Sequence, residues 1–146
     1  MKIRTPMPDL VGAKSWLNST GEKRENLYGK MTLIYFWSMS CQSCKQGFSQ
    51  LQELASAYQD KLHILLVHMP REKEDRVVAN IKLIAKQYDV KMPIALDDQL
   101  VLSNLFGNRF VPSYYVFDKK GLLRHYQGGD RSFRLLKQRI ERLLTE

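Results

Sequence analysis

Cysteine is scarce in this chain of 146 residues: there are two, Cys41 and Cys44, and once they are set aside as a pair none is left to staple the fold. Secreted domains of this size often carry structural disulfides, so the shortage points to a reducing compartment. No uninterrupted apolar run approaches the roughly 18 residues that a membrane span needs. The opening Met1-Lys2-Ile3-Arg4-Thr5-Pro6-Met7-Pro8 also lacks the apolar stretch of a signal peptide. A cytoplasmic protein with no membrane partner is expected. Acidic residues are outnumbered, 15 against 23 Lys and Arg, for a formal charge of +8. The basic residues are spread along the chain and no basic-aromatic module stands out, so no nucleic-acid partner is expected. Their one local concentration, Arg131, Arg134, Lys137, Arg139 and Arg142, reads as the solvated face of a terminal helix. Histidine is sparse too. His63, His68 and His125 are scattered without ligand spacing, which argues against a zinc site completed around the two cysteines.

No low-complexity tract is present, and with 44% hydrophobic residues the length fits one globular domain over residues 1–146. Its most informative stretch is Phe36-Trp37-Ser38-Met39-Ser40-Cys41-Gln42-Ser43-Cys44-Lys45. Both cysteines lie there, just after an apolar run and just before a helical one. A Cys-x-x-Cys pair at a helix start puts the first sulfur over unsatisfied N–H groups, where thiolate is favoured over thiol. The expected chemistry is thiol-disulfide exchange, with Cys41 as nucleophile and Cys44, one turn in, as resolving thiol. The alternatives are two buried structural cysteines or half of a zinc site.

Residues 1–30 hold Pro6, Pro8, Gly12, Gly21 and Gly29 among polar residues with short apolar islands, and read as a hairpin or loop extension covering part of the core. Met31 to Trp37 is apolar and unbroken by charge, the pattern of a central strand buried on both faces. Phe48, Leu51, Leu54, Ala55 and Tyr58 recur at helical spacing and predict a helix over about 42–59. Leu62 to His68 is a second strand, parallel to the first. Val77, Val78, Ile81, Ile84, Ala85 and Tyr88 predict a helix over about 74–89. Met92 to Leu96 reads as a short strand, and Asp97 or Asp98 as the cap of a short helix ended by Gly107. Ser113–Asp118 and Leu122–Gln127 flank Lys119-Lys120-Gly121 as a tight hairpin, after which Asp130 caps a last helix carrying Phe133, Leu136, Ile140, Leu143 and Leu144. The order is that of an α/β sandwich with a mixed sheet.

With the cysteine pair after a buried strand and Val111-Pro112 before a hairpin, the chain resembles thioredoxin-fold thiol-disulfide oxidoreductases of the TlpA/ResA-like branch. Leu27 to Met31 running into Tyr35-Phe36-Trp37, the extra helix after the second strand, and Asp118 to Gly121 carry the resemblance. Trp16-Leu17-Asn18, His68-Met69-Pro70 and Tyr114 to Asp118 bring it nearest the small cytosolic YkuV type. It implies a thioredoxin-like three-layer sandwich with helices on both faces of the sheet, an N-terminal extension and an extra helix inserted in the central βαβ. It also implies a cis Pro112, with Val111 offering its backbone N–H and C=O to an extended substrate beside Cys41. The chain departs from relatives at Gly47, where ResA-like proteins that serve cytochrome maturation have a glutamate. It departs from thioredoxin at Tyr35, which replaces a buried aspartate, at Ser40, which replaces a Trp, and at Ser49, which replaces a helix-kinking proline.

These readings converge on an enzyme that exchanges a Cys41-Cys44 dithiol with protein disulfides, without cofactor or metal. It is expected to act as a monomer and a cytosolic reductant, served by an electron donor the sequence does not identify. Gln42 and Ser43 include no histidine between the sulfurs, which predicts a mid-range to reducing couple. Val111, Pro112 and Trp37 are expected at the substrate side. Trp37 would shield one side of Cys41, with a core aromatic as the alternative, and His68 closes the second strand where sites of open α/β sheets gather. Two rivals remain. A peroxiredoxin-like thiol peroxidase wants a proline where this chain has Ile34, although Ser38 fits its motif. A redox-independent binding module would leave the intact cysteine motif without use.

Overall fold

The middle of the sheet is β2 (Met31–Trp37), all seven of whose residues are buried. Its side chains alternate between two apolar layers, Leu33, Tyr35 and Trp37 on one face and Ile34 and Phe36 on the other. A strand without a polar face must be covered twice, and the rest of the chain supplies the cover. The computed structural model describes residues 1–129 and 133–146. Among these the sheet has six strands: β1 (Ser15–Leu17), β2, β3 (Leu62–His68), β4 (Ile94–Leu96), β5 (Ser113–Phe117) and β6 (Leu123–Gly128). They lie in the order β1-β4-β3-β2-β5-β6. β2, β3 and β4 run parallel, while β1, β5 and β6 are antiparallel to their neighbours. The fold is thioredoxin-like and of α/β class.

One face is covered by α1 (Gln42–Gln46), α2 (Phe48–Ala57), α3 (Val78–Gln87) and α5 (Phe133–Leu144), through Cys44, Phe48, Leu51, Leu54, Ile81, Ala85, Leu136 and Ile140. The other is covered by α4 (Val101–Phe106), through Leu102 and Phe106, and by Met7, Leu10 and Leu27. Asp97 caps α4, its carboxylate accepting the N–H groups of Leu102 and Ser103 at 2.9 and 2.8 Å. The expected cap of α5, Asp130, lies outside the described residues.

The structure departs from the sequence pattern in three places. The helix expected over 42–59 is two helices that meet at Gly47. The helix expected over 74–89 begins as a 3-10 turn, Lys73–Arg76, and its α-helical part opens only after Val77, which is extended. The N-terminal segment is no hairpin: Ser15–Leu17 pairs with β4, while Arg4 and Met7 donate to Leu123 and Gly121 carbonyls at 2.7 and 2.8 Å. It is therefore bonded to the sheet on both sides of the core it covers.

The β5–β6 turn depends on Gly121, which has φ +78° and donates to the Asp118 carbonyl at 2.9 Å. A Cβ there would stand 2.4 Å from the Tyr28 ring. Gly121→Ala should therefore cost about 1–2 kcal/mol, from the left-handed backbone and the displaced ring. Equilibrium urea unfolding should show a lower midpoint with an unchanged m-value.

Candidate active site

The register of β2 against β3 sets Trp37 beside His68 at the sheet end where β2 gives way to Cys41. Past Trp37 the chain leaves the ladder, and its polar groups are taken up by the end of β3. Met69 N–H donates to the Trp37 carbonyl at 2.8 Å, Ser38 Oγ donates to the Met69 carbonyl, and Met39 N–H donates to His68 Nε2 at 3.1 Å. The loop is then closed by Cys41 N–H on the Ser38 carbonyl at 3.0 Å.

Cys41 is the N-cap of α1, with extended backbone (φ −101°, ψ 104°), and its sulfur accepts the Cys44 N–H at 3.2 Å. Ser43 Oγ stands 3.5 Å from the same sulfur. The two cysteines are joined as a disulfide with Cα atoms 5.3 Å apart. Cys41 keeps 6% exposure and Cys44 none, so an incoming group can reach only the first sulfur.

α1 is short because its ladder is broken at Gly47. Tyr35 Oη donates to the Cys44 carbonyl at 2.7 Å, and Gly47 N–H reaches the same oxygen at 3.2 Å. A side chain inserted in the ladder divides a helix without any proline, which accounts for a break that Ser49 did not announce. The local N–H groups, more than a long macrodipole, are what Cys41 has above it. Tyr35 itself is wholly buried against Phe48 and Tyr114, ring centroids 6.3 and 4.9 Å away.

Val111 and Pro112 continue past the last β2–β5 pair, Phe36 with Ser113, and so come level with Trp37 and Ser38 at the same sheet end as Cys41. Their peptide bond is cis. The Pro112 carbonyl accepts Gly129 N–H at 2.8 Å. Among the described residues no hydrogen bond reaches the N–H or C=O of half-buried Val111. Trp37 corrects the expectation of a substrate-side residue: it is wholly buried, packed edge-on against Phe48 and His68 at 4.9 and 4.8 Å, and presents no surface to a partner. It supports the loop from below.

The buried carboxylate near the loop was hidden in the sequence. Asp75 sits in the stretch Glu72-Lys73-Glu74-Asp75, whose acidic residues read as an ordinary helix start, yet it is 1% exposed. Its Oδ2 accepts Ser40 Oγ at 2.8 Å, Arg71 N–H at 2.9 Å and Glu72 N–H at 3.1 Å. Burial alone would raise its pKa, but the N–H groups of Arg71 and Glu72 and the Ser40 hydroxyl outweigh it and hold the carboxyl below its ordinary value. The available signal was the Glu72 to Asp75 spacing of a reciprocal capping box, which the structure contains. His63 and His125 lie on β3 and β6, away from the dithiol end. Among the described residues no group of three or more His, Cys, Asp or Glu is arranged to hold a metal. A surface cavity of about 520 Å³ lined by Gln52, Gln59, His63 and Asp89 contains none of the site residues.

His68 is 2% exposed, and burial pushes its pKa down to about 4, against smaller opposing effects of Asp75, Asp98 and Asp97. It therefore folds neutral, with Nε2 as acceptor for Met39. Between its ordinary value near 6.5 and about 4 the unfolded chain binds the proton and the folded chain does not, so this group makes stability fall as pH falls through that window. The full loss is roughly 3 kcal/mol. His68→Gln, which keeps an acceptor and does not titrate, should flatten the acid limb of a plot of unfolding free energy against pH.

Residues 3–126 match the AhpC/TSA family. The chain is 44% identical, over 100% of its length and 99% of the other protein, to thiol-disulfide oxidoreductase YkuV of Bacillus subtilis strain 168. It is 26% identical to thiol-disulfide oxidoreductase ResA of Geobacillus thermodenitrificans strain NG80-2, over 95% of this chain and 76% of that one. A thioredoxin-like protein solved in solution in its oxidised form superposes with a TM-score of 0.91 at 46% identity, covering 99% of this chain and 98% of that one. A buried strand delivering a Cys-x-x-Cys pair to a helix start, on a backbone shared along almost its whole length with these proteins, places the chain in the AhpC/TSA family, among its thioredoxin-like thiol-disulfide oxidoreductases.

Proposed function

We propose that Cys41 is the attacking sulfur of this oxidoreductase and Cys44 its resolving partner, acting on disulfides of other proteins. The observation that carries the reading is the sulfur at the N-cap: it is the less buried member of the disulfide, at 6% against none, and already accepts the Cys44 N–H, a bond that strengthens when sulfur becomes thiolate. In the reduced protein Cys41 thiolate attacks one sulfur of the partner's disulfide. A mixed disulfide forms, and the partner's other sulfur leaves as thiolate and takes a proton. Cys44 then gives up its proton and attacks Cys41 Sγ, releasing the second partner sulfur and closing Cys41–Cys44. Two electrons pass to the partner, and a dithiol reductant returns them.

The free N–H and C=O of Val111 suit an extended partner segment docking beside Cys41 by strand-like pairing, with Pro112 fixing that segment's floor. A cytoplasmic setting fits the cysteine usage, since both cysteines are committed to the exchanging pair. The chain would work there as a monomer that takes no cofactor. Peroxidase chemistry is the second reading, prompted by the match to the AhpC/TSA family. Against it, the place of the motif proline is held by Ile34, a core residue of β2.

Wild-type protein should catalyse insulin-disulfide reduction by dithiothreitol, and Cys41→Ser should lose that activity. Cys44→Ala should accumulate mixed disulfides that are visible on non-reducing gels and released by reductant. Equal inactivity of wild type and Cys41→Ser, with partner capture intact, would favour a binding module. Rapid hydrogen peroxide consumption in stopped flow would favour the peroxidase.

A further inference from the structure

Ser40, the residue before Cys41, is exposed and yet tightly held. Its hydroxyl donates to the buried Asp75 carboxylate, and its oxygen accepts twice from one side chain, Arg71 Nε at 3.2 Å and Arg71 Nη2 at 3.1 Å. The Arg71 backbone N–H is fixed by the same carboxylate oxygen at 2.9 Å. Main chain and side-chain end of Arg71 are thus both anchored, and long arginine side chains are seldom ordered on a surface without such anchors. The guanidinium rests on a neutral oxygen. Among the described residues no carboxylate lies within ion-pair distance of it, while neighbouring Arg76 is paired with Asp98 at 3.8 Å. Its charge is therefore not taken up by an ion pair, and it contacts the residue that precedes Cys41.

We propose that Arg71 is an electrostatic positioning residue of the exchange reaction: clamped on Ser40 by the Asp75 carboxylate, it keeps a fixed positive charge beside Cys41 and favours the thiolate over the thiol. This inference rests on the reading of Cys41 as the attacking sulfur. It answers what stabilises the anion at a site where α1 is only five residues long. The proton given up goes to solvent, and no bond other than S–H changes. The other charged or titratable groups on the elements packed at this end are Lys45 on α1, His68 on β3, Glu72, Lys73, Glu74, Asp75 and Arg76 in and before the 3-10 turn, Asp97 and Asp98 after β4, and Arg109 before Val111. His68 is neutral at working pH, and Asp75 is anionic, taking its three hydrogen bonds on Oδ2 with Oδ1 unpaired among the described residues, so its charge opposes that of Arg71 and the titration of Cys41 reads the net of the two. Arg71 and Ser40 are the pair in direct contact at the cysteine's own neighbour.

The test isolates Cys41 in a reduced Cys44→Ala background and follows its titration by thiolate absorbance at 240 nm. Arg71→Gln should raise the apparent pKa by about half a unit, roughly a threefold drop in the thiolate-to-thiol ratio at a given pH. Arg71→Lys should recover part of the shift, and about 1 M salt should shrink it. Ser40→Ala, which frees the guanidinium without removing its charge, should give a smaller shift of the same sign. An unmoved titration in Arg71→Gln, or an equal shift in Arg71→Lys, overturns the proposal. Neither result bears on whether Cys41 is the attacking sulfur, which the Cys41→Ser insulin assay decides separately.

Discussion

The structure depends on a strand that has no polar face. Because β2 must be covered on both sides, the chain places helices and the N-terminal segment on opposite faces of the sheet, and the strand's end becomes a fixed point. Its full seven-residue register against β3 brings His68 and Met69 to that end, where they take the N–H and C=O groups that the chain exposes on leaving the ladder. Backbone polar groups at such a turn must find partners, so the route from Trp37 to Cys41 is determined by the end of the neighbouring strand. The dithiol is placed by that determination.

What the site does to its sulfur then follows from short-range contacts. Tyr35, in the interior where thioredoxin keeps a carboxylate, spends its hydroxyl on the Cys44 carbonyl and divides the helix behind the motif. The helix that remains is too short for a large macrodipole, and the donor that the Cys41 sulfur does meet is the Cys44 N–H. The buried carboxylate that the site does contain is Asp75. Asp75 lies on the side of Ser40 and Cys41, is held ionised by its donors, and organises a loop. One pK unit at Cys41 is about 1.4 kcal/mol between thiol and thiolate, so small charge placements of this kind are enough to set reactivity.

Much of this was legible in the residues. β2, β3 and the β5–β6 hairpin follow from runs whose periodicity and turn chemistry have one reading, and the cysteine pair lies where a buried strand meets an amphipathic helix. The break at Gly47 was not legible, because it comes from a tyrosine hydroxyl on another element acting on a carbonyl nine residues later in sequence. The pairing of Ser15–Leu17 with β4 was hidden for a similar reason: three residues carry almost no period, and their strand character comes from an open sheet edge. Trp37 is expected at the substrate side from its place beside the motif, yet β2 is covered on both faces, so neither face of the strand leaves it exposed. Asp75 reads in the sequence as a helix-start acid and nothing there marks Arg71; their link to Ser40 exists only in the fold.

The central claim is that Cys41–Cys44 is an exchangeable bond and not a structural staple, and its reduction potential tests that most directly. Equilibrating the protein with graded glutathione buffers and quenching with a thiol alkylator gives the fraction reduced at each poise. The account predicts a midpoint between the glutaredoxin and thioredoxin ranges, about −200 to −270 mV. A disulfide that stays closed in buffers poised near −300 mV, where thioredoxin-like couples are already reduced, would contradict it.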